Sequence, residues 1–238
     1  DRAAGGAHDG FQGVEVPLPY TEPVEKLSAA LKDARIGMAL INLPAGDWPG
    51  GERGIGALPG REAEFRIGVD DAIRYARALG CTMANCLSGI APAGVAPEVL
   101  EDVLVANLSY AAPRMADAGI RLLLEPINTR DIPGFFVSTT ALAERVLDRV
   151  GSDNLFIQYD IYHAQIMQDD LVPTFERLRD RIAHIQVADN PGRHEPGTGE
   201  IAYPFVFSEL ARLGYGGWIG AEYKPATTTS AGLGWMKR

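Results

Sequence analysis

The chain is poor in cysteine, histidine and net positive charge, and it has no long uninterrupted apolar run. Cys81 and Cys86 are the only cysteines in 238 residues. Two thiols five positions apart around a strand-like stretch make neither a disulfide framework nor a zinc-binding set, and a reducing, cytoplasmic setting is the expectation. Four histidines, His8, His163, His184 and His194, are too few for a multi-zinc hydrolytic centre. The formal net charge is −9 with a pI near 5.0. That balance argues against a nucleic-acid backbone as partner, which calls for a basic face. No stretch reaches the ~20 apolar residues of a membrane span, and no leader pattern shows at the start, so neither membrane insertion nor export is expected.

What is present is a periodic alternation. Apolar runs with strand character occupy residues 13–18, 37–43, 81–87, 121–127, 155–161, 182–188 and 217–223. Helical spacing predicts helices over 22–34, 61–79, 97–118, 138–150, 171–181 and 203–213, with Ser138 as a cap and Gly80, Gly119 and Gly151 as stops. Residues 1–9 read as the end of a further helix. Strand and helix taking turns calls for a parallel sheet with helices outside it. The 46% hydrophobic content is ample for one large core, so residues 1–238 are expected to form a single α/β domain, a (β/α)₈ TIM barrel. Seven strands are visible where such a barrel has eight, and the first is expected to be missing from this numbering. Residues 44–60, rich in Gly and Pro and carrying Trp48 and Arg53, are too long for a plain connection and form a candidate lid.

Four consecutive apolar runs stop on an oxygen-bearing side chain: Glu125, Asp160, Gln186 and Glu222. A buried parallel strand has no solvent face for a carboxylate, so each needs a partner. In a parallel barrel the four strand ends share one face, where they would converge on a hard divalent cation, Mg²⁺ or Mn²⁺. A single strand-end glutamate is as readily the partner of a rim arginine; four in succession favour a site. Glu125 and Glu222 are the expected catalytic pair, one taking a proton from a carbon and one returning it to the neighbouring carbon. Gln186 is open to two roles, ligand through its amide oxygen or a group that holds Glu222 in place. His163, three residues after Asp160, faces a substrate hydroxyl or the same ion. Arg193 presents a fork to a substrate carboxylate or hydroxyl. Glu195 in the same loop and Asn85 at the pocket border complete the expected substrate contacts. Asn128 and Asp131 are expected to buttress the site, Arg66 to be structural, and Glu15 is assigned no role.

The motifs Leu124-Glu125-Pro126-Ile127-Asn128-Thr129-Arg130-Asp131-Ile132-Pro133-Gly134, Tyr159-Asp160-Ile161-Tyr162-His163, Arg193-His194-Glu195-Pro196-Gly197-Thr198-Gly199-Glu200 and Gly217-Trp218-Ile219-Gly220-Ala221-Glu222-Tyr223-Lys224-Pro225 together resemble the hydroxypyruvate isomerase family, within the xylose-isomerase-like TIM barrels. The resemblance spans nearly the whole chain. It implies a cofactor-free or divalent-metal aldose–ketose isomerase acting on a small hydroxy-oxo acid, interconverting hydroxypyruvate and 2-hydroxy-3-oxopropanoate (tartronate semialdehyde) through an enediolate. Glu125 and Glu222 would exchange the proton, and Glu125, Asp160, Gln186 and Glu222 would surround the metal. The alternatives it leaves are 2-oxo-tetronate isomerisation, sugar 3-epimerisation, inosose dehydration, an endonuclease of the endonuclease IV type, and a non-catalytic barrel that binds a sugar acid. Self-association into a homo-oligomer is left open.

Overall fold

Among the described residues, seven parallel strands pair strictly in chain order. The structure is a computed structural model that describes residues 2–168 and 170–237; Asp1, the first residue of the 1–9 stretch read as a helix end, lies outside them. The elements alternate as α1 (Arg2–His8), β1 (Gly13–Val16), α2 (Val24–Ala34), β2 (Gly37–Asn42), α3 (Glu62–Leu79), β3 (Met83–Cys86), α4 (Pro97–Asp117), β4 (Arg121–Leu124), α5 (Thr140–Val150), β5 (Leu155–Asp160), α6 (Ile161–Gln168), α7 (Leu171–Leu178), β6 (Ile182–Val187), α8 (Tyr203–Arg212) and β7 (Ile219–Ala221). Parallel neighbours cannot be joined by a tight turn, so every strand pair is bridged by at least one helix. No helix among the described residues is long and apolar enough to cross a membrane.

The two-residue period of the strands sorts their side chains. Ile41, Ala84, Leu122, Leu124, Ile157 and Ile185 point outward into the core shared with the helices. Leu40, Met83 and Leu123 form a separate apolar floor inside the curled sheet. One step of two residues further along each strand, toward its C-terminal end, stand Asn42, Asn85 and Glu125, all buried. On β5 the same step leads from Phe156 to Gln158 and Asp160. The polar layer of the interior is therefore a direct result of strand parity above an apolar floor.

The described residues supply seven of the eight strands of a (β/α)₈ barrel. The sheet nevertheless curls almost to closure: Glu15 on β1 reaches side chains of β6, and Gly13 leaves room for the Trp218 ring, which a Cβ there would meet at 3.1 Å. Between β1 and β7 runs a groove of about 1000 Å³, lined by Val14, Val16, Leu27, Leu31, Met38 and Ile219 and reaching Glu15 and Glu222.

Two details differ from the sequence pattern. The α5 cap is Thr139, whose hydroxyl accepts from Leu142 N, and not Ser138; Gly151 ends the helix in the left-handed region as expected. The residues after Asp160 form α6 where a strand was expected to continue to Ile161. Ile161, Tyr162 and Ala164 are buried on all sides, and a short apolar run does not distinguish a buried helix from a strand. The 44–60 segment is packed at its middle: Ile55 and Ala57 are buried, and Gly54 bridges Ser88 beyond β3. Gly54 has φ +115 and a Cβ there would strike the Leu87 backbone, so this close approach requires glycine.

Outside the barrel, Glu101 of α4 is held by two arginines of α5, Arg145 at 2.7 Å and Arg149 at 3.0 Å. Hydrogen bonding from Arg145 holds its carboxyl below the ordinary range, with Arg149 adding to the effect against the opposing push of burial. Glu101→Gln is expected to cost about 1.5–2 kcal/mol, the low end of the range for a hydrogen bond to a charged group because both arginines are partly exposed. Because the folded-state pKa is lowered, this contribution is complete above the ordinary value of about 4.3 and fades as pH falls through the lowered one. Chemical denaturation at pH 7 and pH 3 checks it: a difference between variant and parent that is the same at both values would refute the assignment.

Candidate active site

The groups at the C-terminal ends of β3 to β5 meet in one buried cluster. Glu125 directly follows β4, and its Oε2 accepts from Asn85 Nδ2 at 3.0 Å, while the same amide donates to Asn42 Oδ1 at 3.1 Å. Asp160 closes β5 and starts α6. Its Oδ1 accepts from the backbone N–H groups of Tyr162 at 2.8 Å and His163 at 3.3 Å, which satisfies free donors of the first helical turn and fixes the carboxylate. The other oxygen, Oδ2, is left facing the barrel mouth.

His163 is oriented by its neighbours. Its Nδ1 lies 2.6 Å from Asn128 Nδ2. An amide nitrogen only donates, so Nδ1 accepts and the ring proton sits on Nε2. That nitrogen faces Asp160 Oδ2 at 3.4 Å and Glu125 Oε1 at 3.8 Å. Asn128 is itself locked: its Oδ1 accepts from Asp131 N at 2.8 Å, and Nδ2 also reaches Asp131 Oδ2 at 3.1 Å. The Tyr162 hydroxyl donates to the same Asp131 oxygen at 2.8 Å.

Arg193, with φ +56, ties in the last strand. Its Nη2 donates to Glu222 Oε2 at 2.6 Å and stands 3.4 Å from Asp160 Oδ2. Its guanidinium lies over the Tyr162 ring at 5.1 Å. The loop backbone is fixed by Lys224 N donating to Arg193 O at 2.7 Å.

Burial pushes the Glu125 carboxyl well above its usual range, and the charges of Glu222 and Asp160 push it further. The surrounding protein pushes Glu222 up as well, with Arg193 opposing and Asp160 adding. Glu222 has 41% of its side chain open, so water moderates that push. Burial holds His163 below its ordinary value, in agreement with a ring nitrogen that accepts a hydrogen bond.

Glu125, Asp160 and His163 offer ligand atoms that all lie within 4.8 Å of one another. Oxygen donors dominate the set and the two thiols are buried elsewhere, so the chemistry fits a hard divalent ion. Gln186 is in register with Asp160, and its amide is engaged on both sides, accepting from Gln158 at 2.6 Å and donating to Glu15 at 2.7 Å.

The family model described as xylose isomerase-like TIM barrel matches residues 6–238. The chain belongs to the xylose isomerase-like TIM barrel family. A hydroxypyruvate isomerase of Escherichia coli is 53% identical over 230 residues, covering 97% of this chain and 89% of the relative. A 2-oxo-tetronate isomerase of Cupriavidus necator is 43% identical over 237 residues, covering 100% of this chain and 91% of the relative. A solved structure described as an AP endonuclease, family 2, from Brucella melitensis superposes with a TM-score of 0.96 at 42% identity, covering 99% of this chain and 91% of that one.

Within this family fold, Glu125, Asp160, His163 and Asn85 come together directly, and Arg193 links Glu222 to Asp160. Glu195 has its carboxylate on Ala226 N at 2.9 Å and beside Gly232, where it holds the C-terminal segment. Gln186 does not hold Glu222 through any hydrogen bond described; its amide partners are Gln158 and Glu15. Asn128 and Asp131 buttress His163 and Tyr162. Arg66 lies against the Tyr110 ring at 4.9 Å, away from the site on the α3–α4 surface. Sequence reasoning missed Asn42, Gln158, Tyr162 and Glu15. For Asn42 and Gln158 the signal was available: each stands two residues beyond an inward apolar residue.

Proposed function

We propose that this isomerase converts a small 2-hydroxy-oxo acid into its positional isomer by moving a proton between adjacent carbons, with hydroxypyruvate and 2-hydroxy-3-oxopropanoate as the substrate pair. The observation that supports this most is the pair of strand-end glutamates, Glu125 and Glu222, gathered around Asp160: His163 Nε2 lies 3.8 Å from Glu125 and 3.4 Å from Asp160, and Arg193 Nη2 lies 3.4 Å from Asp160 and 2.6 Å from Glu222. Two carboxyls whose proton affinities are both raised by their surroundings suit proton removal at one carbon and return at the next.

In this reading one glutamate takes the proton and the other completes the transfer, giving an enediolate between them. His163, with its proton on Nε2, donates to a substrate oxygen; Asn128 keeps that tautomer in place. Arg193 keeps Glu222 aimed inward and offers the rest of its guanidinium to the substrate carboxylate. Glu125, Asp160, Glu222 and the Gln186 amide oxygen would hold Mg²⁺ or Mn²⁺. Such an ion, when bound, supplies charge stabilisation at the oxygens where negative charge develops.

The four-carbon reading, 2-oxo-tetronate isomerisation, draws support from the Cupriavidus necator relative. An endonuclease reading finds little: the metal-ligand cluster among the described residues holds one histidine, and the net charge is −9. A turnover screen of three- and four-carbon hydroxy-oxo acids, with a ketose for 3-epimerisation and an inosose for dehydration, tests the proposal. The expected result is a kcat/KM for hydroxypyruvate at least about tenfold above the rest, which corresponds to about 1.4 kcal/mol of transition-state discrimination. A preference for the four-carbon acid would replace the substrate; turnover of none would remove the isomerase proposal.

A further inference from the structure

Glu15 carries no role in the chemistry above, yet the barrel is built to accommodate it. It stands on β1, at one edge of the β1–β7 groove, and its carboxylate spans past β7 to the inner face of β6. There Oε1 meets His184 Nε2 at 2.6 Å and Oε2 accepts from Gln186 Nε2 at 2.7 Å. A carboxylate only accepts, so the imidazole proton is on Nε2. The residue that β7 places opposite Gln186 in register is Gly220, and a Cβ there would run into the Glu15 carboxylate. The path of Glu15 across β7 thus depends on a glycine at that position.

The effect falls on the amide of Gln186. Its two ends differ chemically: the oxygen attracts a cation and the NH₂ repels one. With the NH₂ donated to Glu15, the oxygen is turned to the β5 side, where it accepts from Gln158 Nε2 at 2.6 Å and where Asp160 is the register partner of Gln186. A carbonyl oxygen has a second lone-pair direction available. Rotation of the amide would set its NH₂ against the Gln158 NH₂ and its oxygen against the Glu15 carboxylate, so both contacts oppose it.

We infer that Glu15 is a positioning residue that fixes the amide orientation of Gln186, so that its oxygen is the end presented beside Asp160 to a divalent cation. The inference rests on the reading of Gln186 as a ligand.

The test is Mn²⁺ binding, followed by the electron paramagnetic resonance of free Mn²⁺, on the whole protein and on E15Q, G220A, Q186A and the E15Q/Q186A double variant. An amide at position 15 places an NH₂ against either the His184 or the Gln186 donor. E15Q is expected to weaken Mn²⁺ binding by about 10–100-fold, the usual range for a group that orients a ligand. G220A, which displaces Glu15 without altering it, is expected to weaken binding in the same direction and decides the matter if E15Q does not fold. In the Q186A background, E15Q is expected to add no further loss. Full Mn²⁺ affinity in folded E15Q or G220A, alongside a loss in Q186A, would overturn the positioning role while leaving Gln186 a ligand. Full affinity in Q186A would overturn both.

Discussion

Glu125→Gln and Glu222→Gln are each expected to lower kcat for isomerisation by about a thousandfold, inside the 10²–10⁴ range that a positioned acid or base contributes. Gln keeps the volume of Glu and can still accept from Asn85 at position 125, so the loss reports what the carboxylate itself does, proton transfer and the metal ligation proposed for it, and not a packing defect. A thousandfold fall is about 4 kcal/mol of transition-state stabilisation. Folding stability should move the other way for Glu125→Gln. Burial raises the Glu125 carboxyl, so the folded state binds that proton more tightly than the unfolded chain does. Stability therefore falls as pH rises from about 4.3 through the raised value. The amide removes that penalty, and the chelated variant should melt no lower than the chelated parent at pH 8. Either variant turning over near the parental rate would end the two-glutamate scheme.

Exhaustive chelation is expected to reduce turnover by at least about 100-fold, with recovery on adding Mg²⁺ or Mn²⁺, since the carboxylate-rich donor set suits hard ions. Binding should also stabilise the fold. At a free ion concentration about 100 times Kd the gain is about 2.7 kcal/mol, which for a chain of this size raises the melting midpoint by roughly 5–10 °C. Both readouts are needed, because they separate two kinds of failure. Undiminished turnover after chelation would discard the metal and leave the glutamates standing. A rise in midpoint without any dependence of turnover would make the ion structural.

Much of the fold was legible because it follows from local rules. Helical spacing located α3 through Phe65, Val69 and Ala76, and Gly80 stops it in the left-handed region as its position implied. The abrupt stops at Glu125 and Asp160 were legible because a run of buried strand residues has no other use for a carboxylate, and Glu222 because it ends an apolar run of the same form, although β7 is partly exposed. What escaped was whatever depends on contact order across the barrel. Ile161, Tyr162 and Ala164 are as apolar as strand residues, and only the packing around Asp160 shows that they turn into α6. Ser138 and Thr139 are equivalent caps by composition; the backbone of residue 139 decides between them.

Sequence alone determined the βα alternation, the parallel sheet and the residue types at the strand ends, since these rest on periodicity and on the cost of burying charge within a single segment. Tertiary structure alone decided which groups meet: that Glu195 turns to Ala226, that Arg193 joins Glu222 to Asp160, and that Glu15 crosses over Gly220 to reach Gln186, 171 residues away. A side chain's partner is set by the curvature and register of the curled sheet, and no pattern within one strand carries that information.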